Sequence, residues 1–345
     1  MRRAKLNDVA RRAGVSRSTA SRALNGIGEL SDETRDAVTR AAEDLDYRPS
    51  PLARTLRTRR SRTVGLVVPT VAHSFYAAVT NGAQRTLEEH GYRLILIDSG
   101  EDPKTLTAAV QTLLDHEVDG ILMSTAPVGA EQFNVLLDGT PCVFIDELAP
   151  GAGVGNVVLE NERGMALLVD HVAGHGHRRI GYLGGPADRT SGSERLRGFL
   201  DAMSANKLEV LPDLIAECEW TIASGFTHAE QLLARERRPS ALITASGELG
   251  LGALVAARRA DISIPAELAL ACFDNLYFAP LLEPSLTAIA YDSPSIGQAG
   301  ARLLLAAILG ERAPQSETRI DVELVRRRSC GCEPDPGAAM DEVLG

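Results

Sequence analysis

From residue 63 onward, short apolar runs alternate with longer stretches whose apolar positions recur every three or four residues. The runs are TVGLVVP (63–69), YRLILID (92–98), VDGILMST (118–125), CVFIDE (142–147), RRIGYLGG (178–185), ALITAS (241–246) and LALACFD (268–274). They predict buried strands. The stretches between them predict amphipathic helices near 75–90, 103–116, 130–138, 193–206 and 248–259. Buried strands alternating with such helices make parallel sheets covered on both faces. The pattern comes in two series, which predicts an α/β core of two doubly wound lobes. Ligands of such folds bind at the carboxyl ends of the strands, so the natural site is the cleft between the lobes.

The first 49 residues are patterned differently. KLNDVARRAGVSRSTASRALN (5–25) predicts two short helices around a turn at Gly14, a residue that tolerates positive φ. Val9, Ala10 and Ala13 put small apolar groups on the first helix, and Ala20 and Leu24 can face them from the second. Ser16 suits the N-cap of the second helix, whose outer face offers Arg17, Ser18, Thr19, Ser21, Arg22 and Asn25. Ser31 begins a third helix, with Asp32 and Glu33 in its first turn and Val38, Ala41, Ala42 and Leu45 at helical spacing. Tyr47-Arg48-Pro49 ends it. A short helix lined with polar donors and docked on a small apolar partner suits the DNA major groove. The plainer alternative is a surface hairpin with a solvated basic face.

Charge favours the groove. Residues 1–62 hold 15 Lys and Arg against 8 Asp and Glu, a balance of +7. The remaining 283 residues hold 21 against 38, a balance of −17, so the whole-chain value of −10 hides a basic module. Phosphate contact needs local positive charge, not a basic total. Residues 50–62, SPLARTLRTRRSR, set Leu52, Ala53 and Leu56 among five arginines. This segment reads equally as a basic linker or as a hinge that folds on DNA and brings Leu56 to the minor groove.

A length of 345 residues predicts two or three domains. No apolar run is long enough for a membrane span, and MRRAKLNDVARR lacks the apolar region of a secretory signal. Cytoplasmic localisation is therefore expected. The cysteines, Cys142, Cys218, Cys272, Cys330 and Cys332, are odd in number and irregular in spacing, and read as reduced thiols. His171, His175 and His177 cluster in sequence, but a helix end at Gly174 or Gly176 is expected to scatter them, so no metal is assigned. Nucleotide-loop and nucleophile signatures are absent.

The order of parts resembles the LacI/GalR family of bacterial transcription regulators over residues 5–330. The resemblance is carried by DVARRAGVSRSTASRALN, YRPSPLARTLRT, VGLVVPTVAHSFY, GHRRIGYLGGP, SERLRGF and FDNLYFAPLLEPSLTAI, in that order. It implies an all-α helix-turn-helix domain (1–49), a hinge (50–62), and a periplasmic-binding-protein-like core. The core's lobes would be 63–160 plus 292–318 and 161–291 plus 319–332, with crossovers near 160, 291 and 319 and a tail at 333–345. It further implies a homodimer, a double-stranded pseudo-palindromic operator, and a small-molecule effector, most often a sugar.

In the same way the resemblance implies base contacts from Arg17, Ser18 and Arg22. Ser16, Thr19, Ser21 and Asn25 fall at phosphate-contacting or capping positions, and Leu56 at the minor-groove position. Lys5 departs from the family's usual threonine and caps the first helix less well. Effector positions fall on Phe75, Tyr76, Arg195, Trp220 and Asp274. Ser246 and Gly247 stand where the family often has asparagine and aspartate, which changes the cleft's hydrogen-bond set. Core packing is the plainer role for Phe75 and Trp220, and a surface or lobe-bridging ion pair for Arg195 and Asp274. No catalytic residue and no cofactor is assigned. The expected function is a DNA-binding regulator, read as a repressor. The rival is a receptor or enzyme built on the same two-lobed core.

Overall fold

The computed structural model describes residues 4–24, 28–47, 60–100, 102–125, 129–311 and 316–333. Asn25, Leu56 and almost all of the expected hinge lie outside the described residues. The chain divides into two units, Met1–Ser61 and Arg62–Gly345.

The first unit holds helices α1 (Leu6–Arg12), α2 (Arg17–Leu24) and α3 (Asp32–Asp44). Val9, Ala20 and Val38 are fully buried at their junction, with Ala10, Ala23, Ala41 and Ala42 around them. These small side chains let the helices approach closely. Ser16 Oγ accepts from the Thr19 amide at 3.0 Å, and Ser31 Oγ from that of Thr34 at 3.3 Å, so both helices start on their expected caps. Gly14 turns the chain at φ +67°. Lys5 offers α1 no side-chain acceptor. The Asp8 carboxylate instead takes the Lys5 amide proton at 3.0 Å, which supplies half of a capping box.

The second unit is built on two six-stranded sheets. The first contains β1 (Thr63–Val68), β2 (Arg93–Asp98), β3 (Gly120–Met123), β4 (Cys142–Ile145), β5 (Gly155–Leu159) and β11 (Ser316–Ile320), in the order β11-β5-β4-β3-β1-β2. The second contains β6 (Ile180–Gly184), β7 (Ile215–Glu217), β8 (Ala241–Thr244), β9 (Ala269–Phe273), β10 (Thr287–Ala290) and β12 (Glu323–Val325), in the order β12-β10-β9-β8-β6-β7. Every pairing is parallel except β10 with β12.

Helices α4 (Ser74–Glu89), α5 (Pro103–Asp115), α6 (Ala130–Leu137) and α11 (Ser293–Leu309) flank the first sheet. Helices α7 (Asn161–Gly174), α8 (Thr190–Ala205), α9 (Ile222–Leu233) and α10 (Gly247–Arg259) flank the second. Strand alternation explains the two faces. Leu66 and Val68 pack towards α4 and α11, while Val67 packs towards α5 and α6.

The chain leaves the first sheet after Leu159, returns to it at α11, and leaves again after Ile320. Arg319 and Ile320 stay in the first sheet, beyond the sequence boundary at 318, because they still pair with Val158 and Leu159. The returning helix α11 lies tightly against α4. A Cβ on Gly82 of α4 would collide with the Pro294 carbonyl.

Gly82→Ala is therefore expected to destabilise the core by roughly 1–3 kcal/mol despite alanine's better helix propensity. The readout is a lower urea midpoint at unchanged m-value. An unchanged midpoint would mean that the two helices can part freely.

Candidate functional site

A cavity of about 520 Å³ opens between the two lobes. Its walls are the loops that follow strands and the first turns of the helices they lead into. From the first lobe come Thr70, His73, Phe75 and Tyr76 after β1, Ser124 after β3, and Asp146 and Glu147 after β4. From the second come Arg189, Ser191 and Arg195 after β6, Trp220 and Thr221 after β7, Ser246 after β8, Asp274 after β9, and Tyr291 after β10. Parallel strands of both sheets thus aim their carboxyl ends into one space, where doubly wound folds bind ligands. Phe75, Tyr76, Arg195, Trp220, Ser246 and Asp274 all line it.

Arg195 is the most constrained of them. It is buried on α8, donates from Nε to Asn161 Oδ1 at 2.8 Å, and donates from an amino group to the Ala245 carbonyl. Its guanidinium carbon lies 3.7 Å from the Phe273 ring centre and 5.8 Å from that of Trp220. Asp274 faces it at 3.7 Å. That carboxylate also accepts from the Tyr291 hydroxyl at 2.7 Å and from the Gly247 amide at 3.3 Å, at the positive start of α10. The two do form an ion pair, but within the second lobe and buried in the cavity wall, neither at the surface nor bridging the lobes. Ser246 Oγ caps α10 by accepting from the Leu249 amide at 3.2 Å. Its hydroxyl proton is left to point elsewhere.

Phe75 is buried in the first core, as the packing alternative expects, and also lines the cavity edge-on to Tyr76 and Tyr291 at 5.0 and 6.2 Å. Trp220 leans over Gly185. A Cβ there would run into the indole ring.

Sequence reasoning missed the polar rim. His73 caps α4, its Nδ1 accepting from the Phe75 amide at 3.3 Å. Its Nε2 reaches Glu248 of the opposite lobe at 3.1 Å. Burial lowers the His73 pKa, but Glu248, Asp274 and Asp146 outweigh it and raise the value above 6.5. Asp146 is pushed up to about 7, chiefly by burial and further by Glu147 and Asp274, against the pull of Arg195 and His73. Glu147 is also raised by burial, although Thr190 and Arg189 hold it from across the cleft. Only the HSFY run hinted at this rim, since a histidine just before a helix can cap it.

In α2, Arg17, Ser18 and Arg22 are exposed, while Thr19 and Ser21 are half-buried. Arg22 reaches the Glu29 carbonyl at 3.3 Å. The described helix face thus presents the donor set expected from the sequence. Among the described residues, no helix is long and apolar enough to cross a membrane.

Residues 5–50 match the family of bacterial regulatory proteins called the lacI family, and residues 169–330 match a periplasmic binding protein-like domain. The chain is 30% identical over 336 residues to the transcriptional repressor CytR of Escherichia coli K12, covering 96% of this chain and 97% of that protein. It is also 30% identical to the ribose operon repressor of Haemophilus influenzae, over 88% of this chain and 91% of the other. Among solved structures, the lac repressor dimer bound to operator superposes with a TM-score of 0.87 at 25% identity, over 95% of this chain and 99% of that one. A complex of the regulator CelR with cellobiose superposes at 0.71 with 31% identity, over 95% and 100%.

The histidine at the cavity mouth ties protonation to stability. A histidine whose folded pKa is raised contributes stability that is present below its unfolded value and lost as pH rises through the folded one. His73→Asn keeps a helix cap but removes the cation. It is expected to lower the melting temperature of the unliganded protein at about pH 6 and to change it little at about pH 8.5. An equal loss at both values would show that His73 acts only as a cap.

Proposed function

Because the chain belongs to the LacI family of bacterial transcription regulators, we propose that its interlobe cavity receives the effector, a neutral polyhydroxylated molecule of the sugar class. The protein is an effector-controlled DNA-binding repressor and not an enzyme. It acts as a homodimer on double-stranded operator DNA, and the cytoplasm is its proposed location.

One observation carries the effector reading. Ser124 Oγ and Asp146 Oδ1 are buried in the cavity wall and meet no hydrogen-bond partner among the described residues. Such orphaned oxygens are costly unless a ligand satisfies them. Hydroxyl groups suit both, since a hydroxyl donates and accepts. Phe75, Tyr76, Trp220 and Tyr291 add flat apolar faces for sugar C–H groups. The nearby cations, Arg189 and Arg195, meet carboxylates of Glu147 and Asp274, so a neutral ligand fits better than a charged one. In this reading Arg195 and Asp274 anchor hydroxyls, Ser246 supplies the shorter donor that replaces the family's frequent asparagine, and Trp220 stacks.

Dimerisation is supported by apolar groups left on the surface of the core. Val71 and Leu96 stand 52% and 40% exposed in the first lobe, and Tyr277 and Leu281 stand 72% and 70% exposed in the second. For the operator, Arg17, Ser18 and Arg22 are the proposed base readers. Lys5, Ser16, Thr19, Ser21 and Asn25 position the helix on phosphates, and Leu56 enters the minor groove.

A panel of neutral sugars, followed through the fluorescence of the sole tryptophan, is expected to yield a ligand. Asp274→Asn and Arg195→Ala should each weaken its binding about ten- to hundredfold, the worth of one charged hydrogen bond of ~1.5–3 kcal/mol. Unaltered affinity in both would move the effector out of this cavity. On operator DNA, Arg22→Ala should cost roughly 1–3 kcal/mol and flatten sequence preference, whereas Lys5→Ala should weaken all sequences alike. Equal, sequence-independent losses in the two variants would reject Arg22 as a base reader.

A further inference from the structure

Away from the cleft, α7 ends beside the C-terminal segment. His171 lies in the last turn of α7, and His175 follows as its C-cap with near-helical φ −75° and ψ 0°. The helix end therefore does not scatter the two rings. They stay one turn apart on one side, with centres 4.8 Å apart. Cys330 and Cys332 come up to them from the chain beyond β12. His171 Nε2 lies 3.1 Å from Cys330 Sγ and 3.5 Å from Cys332 Sγ, and His175 Nε2 lies 3.1 Å from Cys332 Sγ. His177, the third member of the sequence cluster, turns instead to Ser240 at 3.0 Å.

We propose that His171, His175, Cys330 and Cys332 form a structural site for a zinc-class divalent cation. The four ligand atoms all lie within 4.8 Å of one another. A zinc tetrahedron with bonds of about 2.0–2.3 Å has edges of roughly 3.3–3.8 Å, so small side-chain adjustments bring all four into range. The donor set is two thiols and two imidazoles, which favours zinc over the oxygen-seeking cations. Four protein ligands close the coordination sphere, as structural rather than catalytic zinc sites require. Binding releases the thiol protons and forms two zinc–thiolate and two zinc–imidazole bonds, with no change of oxidation state. The ion would clamp the C-terminal segment onto α7 across more than 150 residues of intervening chain. The first residue of that helix, Asn161, holds Arg195, so the clamp sits at the far end of the helix that positions the cleft arginine, about 20 Å away.

The test uses the full chain, reduced, stripped with chelator and dialysed. Added zinc should be retained at about one ion per chain and raise the melting temperature by on the order of 5 °C. Cobalt in its place should give the visible bands of a tetrahedral thiolate complex. His175→Ala and Cys332→Ser, at positions with little burial, should abolish retention and the bands while the protein stays folded and operator-competent. Cys218→Ser, a buried thiol elsewhere, should keep both. Retention below about a tenth of an ion per chain, cobalt bound without thiolate bands, or retention unaffected by both variants would each overturn the proposal.

Discussion

Asn161 is the residue on which the core's geometry turns. It is fully buried where the chain first leaves the first sheet, and each end of its amide holds a charged group. Its oxygen accepts from Arg195, and its nitrogen donates to Glu194 Oε2 at 3.0 Å. Glu194 in turn receives Arg319 of the first sheet through two bonds of 2.8 and 3.1 Å. Two neighbouring residues of one helix, opposite in charge, are thus both held by one neutral side chain. Buried charges persist only when paired and fully hydrogen-bonded. Loss of Asn161 would leave two of them short at once, and the cleft arginine would lose the partner that fixes its angle.

The same constraint explains how the lobes can communicate. Among the described residues, polar links that cross the cleft include His73 with Glu248, Arg189 with Glu147, Glu147 with the Thr190 amide, and the Leu148 amide with Thr190 Oγ1. Polar bonds can be exchanged for ligand hydroxyls at little net free energy, so lobe closure can respond to an effector. An effector shifts that balance only by its difference in affinity for the two arrangements.

The helix-turn-helix unit and the strand–helix alternation were legible in the sequence because they rest on local signals. Ser16, Gly14 and Ser31 announce their roles within a few residues, and runs such as TVGLVVP and LALACFD announce burial. Arg195, Trp220 and Asp274 could be selected only through family resemblance, since nothing in their spacing says that three separate loops converge. Asn161, His73 and Glu248 escaped notice because their partners lie on other strands and in another lobe. The histidines and cysteines at the far end of α7 were each visible. Their meeting depends on the C-terminal segment crossing behind the second sheet, which no local pattern encodes.

Gly185 never touches the cavity, yet it sets part of the cavity's shape. The missing side chain is the space into which the Trp220 ring settles. Any larger residue there would displace the indole from its place in the cavity wall. The shape of the cavity can therefore change by substitution behind the wall, while every residue that lines it stays the same. A comparison restricted to the side chains that line the cavity would miss such a change.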